Sequence, residues 1–381
     1  MFGARFFTEI KSLNSVLQLF YLSRGLDISQ IIYLGLFWTI TVFFCDLPSS
    51  FLADKFGRKK LILSGIFLMT LSTFLLLIAT SFPGFVIAYI TAGAGFSFFM
   101  GADQAIIYDS LKEMGEEDRS NKVAGKYYSA QSLPKIVMPL IGGFIAKDLL
   151  PSQFNILLFI DLIGTVIAFT LASFLTEPKV ETVKRKTIAF LKEGVKLIKD
   201  NQVLLKLAFN KIVVFQASYV YWRVYQIFLK DAGMLVVYLG LVYTVFQGIQ
   251  FLLLWYTEKV QNYFGKVVFA NTHAILGFLA IIFSLFSQNL IILFICCVVL
   301  LLTGVSRDPF FLSQIQARIP SFNRATVTST LNAIKNVTDV PVYILIAYLA
   351  KDDINYVLIV SGILFLISII FLRIKKEDLV V

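Results

Sequence analysis

The chain has 381 residues, of which 58% are hydrophobic and 15% charged, against roughly 45–50% and 25% in an ordinary soluble domain. That excess of apolar surface excludes a water-soluble globular fold. The formal charge of +10 is carried by clusters between apolar runs, so it points to anionic lipid headgroups and gives no reason to expect a nucleic acid partner.

A bilayer core is about 30 Å thick and takes about 20 apolar helical residues per crossing. Hydropathy predicts twelve spans: 4–24, 28–52, 60–80, 83–109, 126–147, 153–175, then 204–228, 234–256, 267–287, 289–313, 326–349 and 354–373. The first carries Glu9, Lys11, Asn14 and Gln18, which suits an interfacial helix. In a helix, however, Lys11, Ser15 and Gln18 share one face, the stripe expected where a spanning helix borders a polar cavity. In the seventh, Trp222 and Gln226 share a face in the same way and suit an amphiphilic ligand.

Arg58, Lys59, Lys60, Lys184, Arg185 and Lys186 fall on one side of this topology, whereas the opposite connections hold Arg24, Lys147, Lys230 and Lys351. The bias places both termini in the cytoplasm and the protein in the cell membrane. Residues 177–203 form the one long hydrophilic stretch and divide a bundle over 1–176 from one over 204–381. Within the linker Ile188, Leu191, Val195 and Ile198 recur at helical spacing among lysines, the pattern of an amphipathic helix on the headgroups; a plain flexible linker is the alternative. A shift of 205 residues superposes Asp103 on Asp308, Arg119 on Arg324, and Val137, Leu140 and Ile141 on Val342, Leu345 and Ile346. The expected fold is therefore an all-α membrane protein, two six-helix bundles related as parallel repeats.

Between spans two and three stands Ser50-Phe51-Leu52-Ala53-Asp54-Lys55-Phe56-Gly57-Arg58-Lys59-Lys60. Gly57 permits a tight turn, the basic run anchors the loop inside, and Asp54 can cap a helix N-terminus or meet a guanidinium. Asn262-Tyr263-Phe264-Gly265-Lys266 is a weaker echo in the second half. The stretch resembles the loop signature of the major facilitator superfamily, G-x-x-x-D-x-x-G-R-K/R-K/R, with Ser50 where that family usually has Gly. Asp46-Leu47-Pro48, Gly101-Ala102-Asp103 and Arg324-Ala325-Thr326 resemble bacterial members.

The resemblance implies two bundles that rock about a midplane site lined by spans one, four, seven and ten, with Ser50, Asp54, Gly57, Arg58 and Lys59 acting as a conformational latch near Arg324. It implies a monomeric secondary transporter of a small organic molecule, coupled to protons, with efflux favoured over uptake. A flippase for a lipid-linked molecule is the nearest variant. A transporter-fold sensor or an intramembrane enzyme is the alternative from another class.

Ionised groups inside a bilayer are expensive and mark function or pairing. Lys335 and Asp339 are four residues apart, so an ion pair and a site are both expected of them. Arg307 and Asp308 point about 100° apart on a helix and each needs another partner, for which Lys335, Asp339 or a substrate would serve. Asp103 has no guanidinium beside it in sequence and is the expected proton carrier, with Asp46 in reserve. Glu9, Asp109, Asp161, Lys211 and Arg223 lie near span ends, where snorkelling suffices. Cys45, Cys296, Cys297 and His273 show no ligand spacing, and no nucleotide-binding Gly-x-x-x-x-Gly-Lys-Ser/Thr occurs. No cofactor or metal is expected, and no enzymatic activity.

Overall fold

The computed structural model describes residues 1–178, 194–320 and 324–380; the side chains of Ser50 and Asp54 lie outside the described residues. Each expected span is matched by one helix or a broken pair, and no strand occurs among the described residues. Contacts divide the chain into two compact units, Met1–Arg185 with Leu235–Thr244, and Lys186–Met234 with Val245–Val381.

The division expected within 177–203 is thus crossed by one segment. Residues 235–244 join the first unit because small residues let backbones meet: a Cβ on Gly240 would lie 2.2 Å from the Pro139 carbonyl oxygen, and Thr244 Oγ1 donates to the Ile136 carbonyl at 2.7 Å. The first half of the expected linker helix falls outside the described residues. Its end, residues 194–199, is helical, but Ile198 is buried in a protein core with Leu207, Phe311 and Leu331, so at that point protein takes the place expected for headgroups.

Seven spans are continuous: Ile28–Phe56, Arg58–Ile78, Pro151–Ser173, Val236–Trp255, Lys266–Phe286, Arg324–Leu349 and Ile354–Phe371. The others break. The first is Phe2–Thr8, a 3-10 turn Ser12–Val16 and Leu17–Ser23; the fourth is Phe82–Phe99 and Ala102–Glu113; the fifth is Ser120–Ala130 and Ser132–Ile145. The seventh is Gln202–Trp222 and Tyr225–Asp231, and the tenth is Leu290–Val305 and Asp308–Gln316. Among the described residues nine helices are long and apolar enough to cross a membrane; the first and fifth spans fall outside that set because their pieces are short, and the eleventh because Asn332, Lys335, Asn336 and Asp339 lower its hydropathy.

Broken backbone at membrane depth must find internal partners. At the first break Asp161, in the middle of the sixth span, accepts from the Ser12 N–H (2.6 Å), the Leu13 N–H (3.3 Å) and Ser12 Oγ (2.8 Å). Gly142 of the fifth span leaves room there, since a Cβ would sit 1.9 Å from the Ser12 carbonyl oxygen. Asp161 is 8% exposed. It is therefore no interfacial snorkeller, as its place in the sequence suggested, but the acceptor that makes the break possible.

Candidate functional site

In the first unit the fourth span turns at Gly101, whose φ of 90° suits glycine. Asp103, two residues on, folds its Oδ1 back to accept from the Gly101 N–H at 3.1 Å and the Gln104 N–H at 2.7 Å. Its Oδ2 accepts from the Tyr127 hydroxyl at 2.7 Å and lies 3.8 Å from the Arg5 guanidinium. Asp103 is fully buried. The lone carboxylate expected from sequence is instead a paired one, because Arg5 reaches it from the first span.

Arg5 also donates to Gln131 Oε1 (2.5 and 3.1 Å), pairs with Glu9 at 3.1 Å and lies over the rings of Phe99 and Tyr127. Lys135 closes the network, 3.6 Å from Glu9 and 3.2 Å from Gln131. Two cations and two carboxylates thus neutralise one another across spans one, four and five, the arrangement that buried charge demands. Lys11 lies half-buried at the first break, without an ion-pair partner among the described residues. Gln18 is buried beyond that break, so the continuous face expected to join them is absent.

The signature loop turns on Gly57, with φ 95° and ψ 151°, and Gly265 repeats the turn at φ 85° and ψ 144°. The Glu177 carboxylate accepts from the Arg58 N–H at 2.7 Å and the Lys59 N–H at 2.6 Å. The Arg58 guanidinium pairs with Asp109 of the fourth span and donates to the Ala105 carbonyl at 2.5 Å. The helix that starts at Arg58 is therefore capped by Glu177, the first residue of the hydrophilic stretch 177–203; the Asp54 side chain, expected to cap a helix N-terminus or meet a guanidinium, lies outside the described residues. Carboxylate capping of free N–H groups explains the choice of residue type.

In the second unit Arg307 and Asp308 mark the break of the tenth span, and their partners differ from those expected. Arg307 is 1% exposed; its guanidinium donates to the Asn210 side-chain carbonyl and to the Ala270 carbonyl (3.3 Å) and stacks 4.0 Å over Phe311. Asp308 pairs with Lys211 at 2.7 Å. Lys335 and Asp339 pair with each other at 2.7 Å, as their spacing allows, and Asp339 accepts from Gln216 at 3.0 Å. Between these pairs lies a cavity of about 250 Å³ lined by Lys211, Asp308, Asn332 and Lys335 with Ile212, Phe215, Val305 and Leu331. A few polar groups on apolar walls are the usual makeup of a small-molecule site, though ~300–1,000 Å³ is more common.

Trp222 and Gln226 do not share a helical face, because the helix stops at Trp222 and resumes at Tyr225. Trp222 packs on Tyr225 and Phe246, and Gln226, 2% exposed, donates to the Tyr225 hydroxyl. Arg223, at the break, donates to Tyr343 and Tyr219 hydroxyls at 2.9 and 3.0 Å and thus binds inside the protein instead of snorkelling. Asp46, in the second span, is half-buried and has no ion-pair partner among the described residues. No cluster of metal-ligating side chains occurs among the described residues.

A family profile described as Major Facilitator Superfamily matches residues 2–338. No curated protein matches the chain. Among solved structures it is similar to the nucleoside transporter NupG, at 12% identity over 97% of this chain and 95% of that one with a TM-score of 0.75. It is similar too to a bacterial homolog of the human lysosomal transporter Spinster, inward-facing and unoccupied, at 12% identity, 99% and 95% coverage and a TM-score of 0.76. A D-xylose-proton symporter follows at 14%, 98% and 96%, and 0.70. With two units of broken and continuous spans, the loop turn repeated at Gly57 and Gly265, and a profile match over most of its length, the chain belongs to the major facilitator superfamily and is a membrane transporter, not an enzyme.

Proposed function

We propose that the chain is a proton-coupled secondary transporter that moves small, partly apolar organic molecules outward across the cell membrane by alternating access, acting as a monomer with both termini in the cytoplasm. The cavity in the second unit carries this reading, since it sets two neutralised ion pairs against apolar walls. Such a lining accepts a molecule with one polar end and an apolar body. The proton role falls to Asp46 in preference to Asp103, whose oxygens are occupied by Arg5, Tyr127 and two backbone N–H groups. The loop latch is centred on Glu177, Arg58 and Asp109, whose bonds must part if the loop is to move.

The test is reconstitution into liposomes with an imposed pH gradient and a fluorescent amphiphile as cargo. Accumulation that collapses on adding a protonophore is expected. Asp46→Asn should abolish that accumulation while sparing cargo exchange. Asp46→Asn vesicles that still build a protonophore-sensitive gradient would remove Asp46 from the coupling role, and a wild type with no gradient-driven flux of any compound would remove the transport reading itself.

A further inference from the structure

The shift of 205 residues that superposes Asp103 on Asp308 also places Tyr127 on Asn332. The two helical segments agree with it, since Arg119 precedes the helix Ser120–Ala130 and Arg324 opens Arg324–Leu349. In the first unit the Tyr127 phenol fills its place: the hydroxyl donates to Asp103 Oδ2 at 2.7 Å, the ring meets Phe2 edge-on at 6.0 Å, and the Arg5 guanidinium lies 5.8 Å from the ring centroid. The Asp103 side chain is accordingly 0% exposed. In the second unit Asn332 is too short to fill the same place. The Asp308 side chain is 38% exposed, its Oδ1 pairs with Lys211, and its Oδ2 has no donor among the described residues. The cavity is bordered by Asp308 and by Asn332, the residue that the shift places on Tyr127.

From this difference between the repeats we infer that the cavity of the second unit is the binding site for an uncharged aromatic alcohol, a phenol in its simplest form, which takes in that unit the place that Tyr127 holds in the first. The inference rests on the transport reading only for its biological purpose, because binding is measurable without flux. Three features select the ligand class. Lys211 is balanced by Asp308 and Lys335 by Asp339, so neither an anion nor a cation finds an uncompensated partner. Asp308 Oδ2, on a partly exposed side chain, is open to a donor from a ligand, and the exposed Asn332 carboxamide, with no partner among the described residues, offers both a donor and an acceptor. A hydroxyl gives one hydrogen bond and accepts others, whereas a carboxylate only accepts and an ammonium only donates. The remaining walls are apolar, and the Lys335 ammonium already lies 5.0 Å from the Phe215 ring centroid, where a second ring would share its charge.

The experiment uses the purified full chain in detergent and three probes of one shape: 4-ethylphenol, its methyl ether 4-ethylanisole, and 4-ethylbenzoate. A ligand that binds the native state raises the thermal midpoint saturably. The phenol should do so, and the ether should bind roughly ten- to a hundredfold more weakly, since it cannot donate to the carboxylate. Asn332→Tyr should fold with a midpoint at or above that of wild type and lose the phenol response, because the new side chain occupies the cavity. An ether as tight as the phenol, a benzoate tighter than the phenol, no saturable response to the phenol, or a folded Asn332→Tyr that keeps the response would each overturn the inference. The comparison of phenol and ether needs no variant and decides the matter even if Asn332→Tyr does not fold. Gradient-driven flux of other cargo without phenol binding would sink the ligand class alone; phenol binding without flux of any cargo would sink the transport reading alone.

Discussion

Asp103 and Asp308 occupy matching places in the two units, each at a break in the fourth span of its bundle and each paired with a cation from that bundle's first span. One is sealed by a phenol and a guanidinium; the other faces a cavity. The difference lies in one side chain of the neighbouring span, Tyr127 against Asn332. Repeats that share a backbone plan can therefore divide their work: in the first unit the buried charges brace spans one, four and five, whereas in the second the same plan leaves room for a ligand. The signature loops differ in the same sense. Gly57 is followed by N–H groups held by Glu177, but those of Lys266 and Val267 have no carboxylate acceptor among the described residues, and Lys266 Nζ instead reaches the Val380 carbonyl at 3.2 Å.

If the first unit is the braced one, its largest single loss should come at Asp161. Asp161→Leu would orphan two backbone N–H groups, each costing about 1–3 kcal/mol, while the Ser12 hydroxyl keeps the Leu157 carbonyl as acceptor, so a total loss of about 2 kcal/mol or more is expected in denaturant unfolding in detergent. Asp161→Asn should recover part of it through its one carbonyl. A loss below about 1 kcal/mol for Asp161→Leu would mean that the break is held in some other way.

The two loops offer a matched pair of smaller tests. Gly57→Ala and Gly265→Ala both force a side chain into backbone space that costs of order 1–3 kcal/mol. Gly57→Ala should cost the more, because its Cβ would also lie 3.0 Å from the Glu177 carboxylate, while nothing stands within 4 Å of one on Gly265. Equal losses in thermal melts would show that Glu177 yields freely. Smaller again, Tyr127→Phe should cost about 1–2 kcal/mol by removing a hydrogen bond to a buried charge. The smallest effect is expected for Glu177→Gln, which keeps one acceptor and should cost under about 1 kcal/mol. It should nevertheless raise the labelling rate of a cysteine placed at Lys60, and an unchanged rate would argue against the loop as a latch.

Much of the fold was legible in the sequence because the signals are local. Span boundaries follow from runs of apolar residues, the turn at Gly57 from a glycine between two such runs, and the Lys335–Asp339 pair from a spacing of four. The candidate site was legible only in part. Asp308, as a charge in need of a partner, and Lys335, as half of a pair or a site, are marked by the sequence, and both line the cavity; Lys211 reads as a snorkelling residue and Asn332 carries no sequence signal. Lys11 with Gln18, and Trp222 with Gln226, misled because helical spacing carries no meaning across a break.

The sequence by itself determined the spans, the repeat and the loop turn, since each depends on residues within a few turns of one another. Partner choice was decided only by tertiary structure. Arg5 reaches Asp103 from another span, Asp161 reaches Ser12 from the middle of the sixth span, and Glu177 returns to the start of the third span. A buried charge in a membrane is costly without a partner, but many partners satisfy that demand equally well, and the packing of helices selects one. The same packing brings Lys211, Asp308, Asn332 and Lys335 from three spans to one cavity.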